Sequence, residues 1–281
     1  MLDIRYSQNR YRNEMELEKI ISSLGISKKD IVLDIGAGTG GISKILSKYC
    51  KEVIAYELDR NIFERLEREI EDGEYENIKL LNKDFLTAGL PKKSFKVFSN
   101  IPFFDTSEII RRLTKPGSKL KEGYLFVQKE AAERYIGNLV NTQVATILGG
   151  RYTVDILREL YREDFKPVPD IDIVILRIIR KEKGMSDFNI FRDFITYIFN
   201  QRNSNVLDTF KKLFTFNQLG YIKKHLKKNS WNTPSDISKE YYLEIFEQFK
   251  KNDYKEINKV KGFYQRHLKK HEWIEVIRKR R

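Results

Sequence analysis

One cysteine, three histidines and six prolines among 281 residues leave little room for several classes of chemistry. A lone thiol, Cys50, excludes a disulfide framework, and with no Cys or His cluster near it there is no zinc spacing. It ends an apolar-periodic helical stretch and reads as a packing residue. His225, His267 and His271 all fall in the C-terminal third, which argues against a His-based triad or a His metal site, and no metal is expected. No apolar run reaches bilayer length, and the opening stretch MLDIRYSQNRYRNE carries no apolar h-region. The expectation is a cytoplasmic protein without a membrane partner. With 41% hydrophobic and 33% charged residues, wholesale disorder is excluded too.

Acids are the minority charge. Fifty-three Lys and Arg face 40 Asp and Glu, for a net +13 and a pI near 9.5. Residues 251–281 hold eleven Lys or Arg against four acids, so +7 of that excess lies in one stretch. Such a footprint suits a polyanion bound through its phosphates. The plainer reading is a lysine-rich face that keeps a helix soluble.

The length favours one large domain with an appendage, or two domains. Short β-branched runs alternate with helical patterns over the first 180 residues, as in a parallel sheet with crossover helices. Strands are predicted at 31–36, 53–58, 78–82, 95–100, 123–128, 153–160 and 171–179, and helices at 14–24, 41–49, 61–71, 105–114 and 130–148. The last two strands are joined by YREDFKPVPD without a helix and are expected to pair antiparallel at the sheet edge. After Gly184 the apolar spacing is helical throughout. The expected architecture is therefore a seven-stranded, mostly parallel α/β sheet of Rossmann-like type over residues 1–182, then a smaller all-helical domain over 183–281.

In IVLDIGAGTGGISKIL a strand runs into a glycine-rich turn that opens a helix. Gly36, Gly38 and Gly40 let the backbone approach a ligand, since a Cβ would collide with it or forbid positive φ, and the turn's N–H groups are expected to face that ligand. Glu57 ends the next strand in AYELD, seventeen residues past Gly40. It is placed to accept from both hydroxyls of a ribose, the adenosine geometry of open α/β sheets. Gly36-x-Gly38-x-x-Gly41 also fits the dinucleotide fingerprint, so the glycines do not separate NAD from S-adenosylmethionine. Asp84, in LLNKDFL, is positioned to accept from an adenine amine; its plainer reading is a cap or turn residue. Asp34, inside the first strand, suits a ligand with an amino-acid ammonium better than a pyrophosphate.

The stretch VFSNIPFF ends the fourth strand on the same sheet edge. An exocyclic amine on a planar base is a poor nucleophile, because its lone pair is delocalised into the ring. The Asn100 side-chain oxygen and a backbone carbonyl near Ile101 are placed to hold both amino hydrogens. Pro102 stiffens the segment and restricts the residue before it to extended backbone. Phe103 offers a face for stacking, worth about 1–3 kcal/mol per base. No strong general base is needed when the methyl donor is an activated sulfonium and alignment is the main demand.

DIGAGTG, YELD, KDFL and SNIPF, in this order and spacing, resemble the ribosomal RNA adenine dimethyltransferases, both the erythromycin-resistance (Erm) branch and the small-subunit housekeeping branch. SQN at 7–9 and FKPVPDID at 165–172 extend the likeness, which covers roughly residues 6–180 and more loosely the helices beyond. The resemblance implies the fold of class I S-adenosylmethionine-dependent methyltransferases. It implies that Gln8, Asn9, Gly36, Glu57, Asp84 and Asn100 contact S-adenosylmethionine, with Asp34, Gly38, Gly40, Leu58 and Phe85 completing the cofactor motifs. Asn100, Ile101, Pro102 and Phe103 would form the catalytic segment, and Phe165 would support the adenine opposite Phe103. The 183–281 domain would bind RNA, with the basic tail adding phosphate affinity. Arg10-Tyr11 stands where Phe-Leu is usual, Asp34 where Glu is more frequent, Ile171 where the signature has Val, and Asp172 where it commonly has Ser.

Ile101, in place of the Leu common in the housekeeping branch, leans towards the Erm branch. The implied substrate is then an adenine of large-subunit (23S) ribosomal RNA, whose methylation gives macrolide, lincosamide and streptogramin B resistance. A monomer is expected. A small-subunit ribosomal RNA enzyme and a non-catalytic RNA-binding assembly factor stay open beside it. An NAD-dependent oxidoreductase ranks last, because no hydride-transfer acid or base accompanies the glycines.

Overall fold

The computed structural model describes residues 9–270 except 74, 139, 203, 204 and 253, so Gln8 and positions 271–281 of the basic tail lie outside the described residues. Its strands are β1 (Arg10–Tyr11), β2 (Ile31–Ile35), β3 (Glu52–Glu57), β4 (Ile78–Asn82), β5 (Phe95–Asn100), β6 (Leu120–Gln128), β7 (Tyr152–Leu160), β8 (Phe165–Lys166) and β9 (Ile173–Arg180). Seven of them form one sheet in the order β4-β3-β2-β5-β6-β9-β7. The β4 to β6 side is parallel, and β9 runs antiparallel to β6. This is the mostly parallel seven-stranded sheet expected from the alternation of β-branched runs with helical patterns. Its central strands read as continuous apolar runs because both faces are covered; Val32, Leu33, Val53, Val97, Phe98, Leu125 and Phe126 are all buried.

Helices α1 (Glu14–Ser23), α2 (Gly41–Tyr49), α3 (Arg60–Asp72) and α4 (Thr106–Thr114) belong with this sheet. Side-chain caps set two of the starts: Asn13 accepts from Glu16 N ahead of α1, and Asp59 accepts from Asn61 N and Ile62 N ahead of α3. Cys50, at the end of α2, is fully buried, and burial pushes its thiol up to about 11, so it packs as an apolar residue.

The chain steps outward from β2 through β3 to β4, then returns to β5 on the other flank of β2. The carboxyl ends of β2 and β5 therefore meet where the strand order reverses, the place at which open α/β sheets hold ligands.

The predicted helix at 130–148 is two helices, α5 (Lys129–Ile136) and α6 (Gln143–Gly149). Gly137 stops the first with φ +66°, where a Cβ would meet that of Ala145 at 2.7 Å, and Thr142 caps the second. Contacts divide the chain into one unit of residues up to Ala132 with Thr153–Arg180, and another of Glu133–Tyr152 with the residues from Lys181 onward. Segment 133–152 thus packs with the C-terminal helices.

That second unit holds α7 (Phe188–Phe199), α8 (Val206–Phe210), α9 (Phe216–Lys228), α10 (Lys239–Phe249) and α11 (Tyr254–Val260) around an aromatic core of Phe191, Phe194, Phe210, Phe246 and Phe249. The first part of the basic extension is built into this core. Val260 is fully buried, and the Asp193 carboxylate accepts from Gly262 N at 2.6 Å and Tyr264 N at 2.9 Å. Among the described residues no helix is long and apolar enough to cross a membrane.

Asp193 is 5% exposed. Asp193→Ala is expected to destabilise the protein by about 1–3 kcal/mol, because two backbone donors lose their acceptor. Denaturant unfolding measures it.

Candidate active site

Strands β2 and β5 pair through Val32–Lys96 and Leu33–Val97. Two residues further on, a side chain takes over from the backbone ladder: the buried Ser99 hydroxyl donates to Ile35 O at 2.7 Å and accepts from Ile35 N at 3.0 Å. The strand ends are held together by a hydroxyl, and the glycine turn leaves β2 beside Asn100 on β5. Ser99 lies within SNIPF, but the sequence assigned it no role.

Gly36, Gly38 and Gly40 all have positive φ, at +76°, +57° and +78°. Their reasons differ. A Cβ on Gly40 would run into the Leu66 side chain of α3, so that glycine leaves room for Leu66 at the start of α2. A Cβ on Gly38 would meet nothing within 4 Å and would project into open space in front of the turn.

The turn's amides, expected to face a ligand, face β3 instead. Gly36 N and Ala37 N donate to Tyr56 O, Gly38 N to Glu57 Oε2, and Gly40 N to Ala37 O. A pyrophosphate needs such donors free. With these four engaged, the turn is a poor cradle for a dinucleotide phosphate, and the alternative left open by the glycines is disfavoured.

Carboxylates line this end of the sheet. Glu57 is buried, with Oε2 on Gly38 N (2.8 Å) and Oε1 on Asp59 N (2.9 Å); each oxygen keeps a further lone-pair site for a ligand hydroxyl. Asn82, unmarked by sequence, ties the ends of β3 and β4 by donating to Glu57 O and Leu58 O. Asp34 is 1% exposed, with Oδ2 accepting from Ser43 Oγ at 2.7 Å and Oδ1 buried without a partner among the described residues. Burial pushes its carboxyl up to about 7, the Ser43 hydroxyl pulls it back, and the Glu57 charge adds to the rise. An orphaned buried oxygen next to a second carboxylate suits a cationic ligand. These residues thus fit a positively charged adenosine cofactor.

Asp84 makes the bond of a turn residue, accepting from Leu86 N at 2.7 Å, and is half-buried. The Asp105 carboxyl, another group the sequence did not single out, is held above its ordinary value by burial and then by Asp84 and Glu108. Leu58 is 51% exposed, whereas Phe85 is buried edge-on against Tyr56 with Arg112 over its ring. A ring so placed offers a ligand little side-chain surface.

A strap of residues 9–13 crosses the site. The Asn100 Nδ2 donates to Asn9 O at 2.7 Å, and Arg10 donates to the Thr39 hydroxyl of the glycine turn. β1 pairs antiparallel with β8, opposing Arg10 to Lys166 and Tyr11 to Phe165. Asp164 secures the crossing: its carbonyl accepts from Arg12 N (2.7 Å), and its carboxylate accepts from the Tyr11 hydroxyl (3.3 Å) and Asn13 Nδ2 (3.1 Å). Burial and then Asp164 raise the Tyr11 hydroxyl's pKa.

Ile101 is buried and anchors the Asn-Ile-Pro-Phe segment through its side chain, so only its backbone is open to a ligand. Pro102 has φ −58° and ψ 121°. Phe103 is half-buried against the sheet core, and Phe104 beside it is 84% exposed. Phe165 departs from expectation. It is 2% exposed, packed edge-on to Tyr11 at 5.1 Å and to Phe126 at 6.4 Å, and presents no open face to a base. The β1–β8 pairing puts it behind Tyr11.

The family described as Ribosomal RNA adenine dimethylase matches residues 2–251. An rRNA adenine N-6-methyltransferase of Bacillus licheniformis is 28% identical over 85% of this chain and 84% of that protein. A ribosomal RNA small subunit methyltransferase A of Borrelia garinii subsp. bavariensis is 31% identical over 85% of this chain and 86% of its own length. Among solved structures, the 23S rRNA methyltransferase ErmE has a TM-score of 0.76 at 21% identity, covering 86% of this chain and all of its own, a likeness of fold.

The raised Asp34 carboxyl predicts a pH dependence. In the folded protein Asp34 holds its proton to about pH 7, while the unfolded chain releases it near the ordinary value. The unfolded state binds fewer protons between these limits, so stability falls as pH rises through that window. Asp34→Asn is expected to remove this loss and raise Tm at pH 8 relative to the parent. A Tm profile of the free protein that is identical in both would count against it.

Proposed function

The chain belongs to the ribosomal RNA adenine dimethylase family, and from that membership we propose that it methylates the exocyclic N6 amine of an adenine in large-subunit (23S) ribosomal RNA, conferring macrolide, lincosamide and streptogramin B resistance. The enzyme class, a ribosomal RNA adenine methyltransferase using S-adenosylmethionine, is the family's. The narrower target is supported by the Ile in Asn100-Ile101-Pro102-Phe103, by relatives named rRNA adenine N-6-methyltransferase and by the fold shared with ErmE.

One observation carries the catalytic reading. The nitrogen edge of the Asn100 amide is held by the Asn9 carbonyl, so its oxygen is the acceptor left for an amine. In the segment that follows, the Pro102 and Phe103 carbonyls accept from Asp105 N and the Thr106 hydroxyl. The Ile101 carbonyl is the second acceptor proposed for the amine. Two acceptors set by β5 and a proline draw the amine nitrogen out of conjugation with its ring and aim its lone pair. Phe103 stacks on the adenine, paying part of the few kcal/mol of unstacking, while Tyr11 and Phe165 back the wall.

S-adenosylmethionine, when bound, supplies a methyl group already activated on a sulfonium. Asp34 and Glu57 would favour its cationic end and its ribose, Asp84 would accept from its adenine amine, and Gly38 would leave the approach open. Leu58 and the strap at Asn9 border it. Alignment by these groups replaces a general base.

The second reading, a small-subunit ribosomal RNA adenine dimethyltransferase, has its own support in relatives of that name at comparable identity. Expression in a macrolide-susceptible bacterium, followed by macrolide challenge and mapping of methylated adenines, separates the two. Resistance with a modified 23S adenine is the expected result; modification confined to 16S rRNA supports the alternative. Asn100→Ala is expected to lower methyl transfer by at least about a hundredfold, the scale for losing one well-placed transition-state contact, with cofactor-free RNA binding retained. Near-normal turnover would reject the site.

A further inference from the structure

Helix α9 has no acid in its thirteen residues, FNQLGYIKKHLKK. Lys223, Lys224, Lys227 and Lys228 are all exposed, and among the described residues none has an ion pair or side-chain hydrogen bond. Other lysines of the same unit do. Lys211 pairs with Asp208, Lys250 with Asp187 and Glu247, and Lys259 with Glu256. A helix face that only needs solubility usually mixes signs at i,i+4 spacing; this one does not.

The turn of an α-helix aligns Phe216, Lys223 and Lys227 in one stripe and Tyr221, Lys224 and Lys228 in the next. Ile222 and Leu226 are buried on the opposite side. Phe216 is 86% exposed. An isolated surface ring needs no explanation, but this one heads a row of unpaired cations. Tyr221 is held in place, donating to Glu244 and packing on His225 at 4.5 Å. Uncompensated positive charge alternating with a ring open for stacking is the chemistry of single-stranded nucleic acid contact.

We propose that the outer face of α9 is a second RNA-binding surface, on the unit that does not hold the crevice. Its four lysines take backbone phosphates of an unpaired ribosomal RNA segment, and Phe216 stacks on one of its bases. Unpaired RNA is the partner because bases within a duplex keep their faces covered. The inference rests on the reading of the chain as a ribosomal RNA methyltransferase.

The test uses the full chain with protein-free 23S and 16S rRNA transcripts over a range of KCl concentrations. Replacing Lys223, Lys224, Lys227 and Lys228 together by Gln is expected to shallow the slope of log K against log salt by about three, as four phosphate contacts to a single strand predict. Phe216→Ala is expected to weaken binding about tenfold with the slope unchanged, within the range for losing one stacked base. Cofactor affinity should be untouched in both. If the parent methylates rRNA and the variants bind with its affinity and slope, this inference falls alone. A parent that neither binds nor methylates rRNA removes the functional reading and this surface together. Lysine-dependent binding of phosphatidylserine vesicles, with RNA affinity unchanged, would also overturn it.

Discussion

Everything at the candidate site depends on how β2 and β5 are joined at their carboxyl ends. The parallel ladder supplies backbone pairs at Val32–Lys96 and Leu33–Val97, and the Ser99 hydroxyl then spans the gap to Ile35. A small hydroxyl residue can bond both the N–H and the C=O of one neighbour, so the strand ends stay in register without closing on each other. The glycine turn, Asp34 and Asn100 keep their relation to one another through this bridge. A bulkier or apolar residue would leave two buried backbone groups unpartnered, at the cost such groups carry.

The polar groups of the crevice form two sets with different work. The amides of Gly36, Ala37 and Gly38 are taken up by β3 and the Glu57 carboxylate, whose two oxygens each keep one further lone-pair site. Asp34 keeps one buried oxygen without a partner among the described residues. Low local dielectric makes such an atom costly in the free protein and strongly attractive to a cation. The free protein is thus less stable at this carboxyl than a fully partnered one would be.

The strap of residues 9–13 joins parts of the chain that are remote in sequence. It meets the glycine turn at Thr39, the end of β5 at Asn100 and the 164–166 corner through Asp164 and the β1–β8 pairing. Arg10 and Tyr11, which depart from the family's usual Phe-Leu, supply two of these bonds. By its pairing, the strap also turns Phe165 into a buried support for Tyr11.

The seven-stranded sheet, its strand positions to within three residues and the clustering of glycines, acids and Asn-Ile-Pro-Phe at one edge were legible in the sequence, because period-two and continuous apolar runs, turn residues and caps are local signals; the short strands β1 and β8 were not. Asp34, Glu57, Asp84 and Asn100 stood out because polar residues at strand ends have few structural reasons to be there. The roles of Ser99, inside SNIPF, and of Asn82 and Asp164 did not, since their partners lie far away in the chain and no spacing announces them. The division of helix 130–148 at Gly137 and the burial of Phe165 were likewise decided in three dimensions, one by where segment 133–152 packs and the other by a strand pairing across more than 150 residues. Local chemistry determined which elements form and which residue types gather at the sheet edge; only tertiary structure decided which of their hydrogen bonds are already taken, because that depends on neighbours brought together by folding.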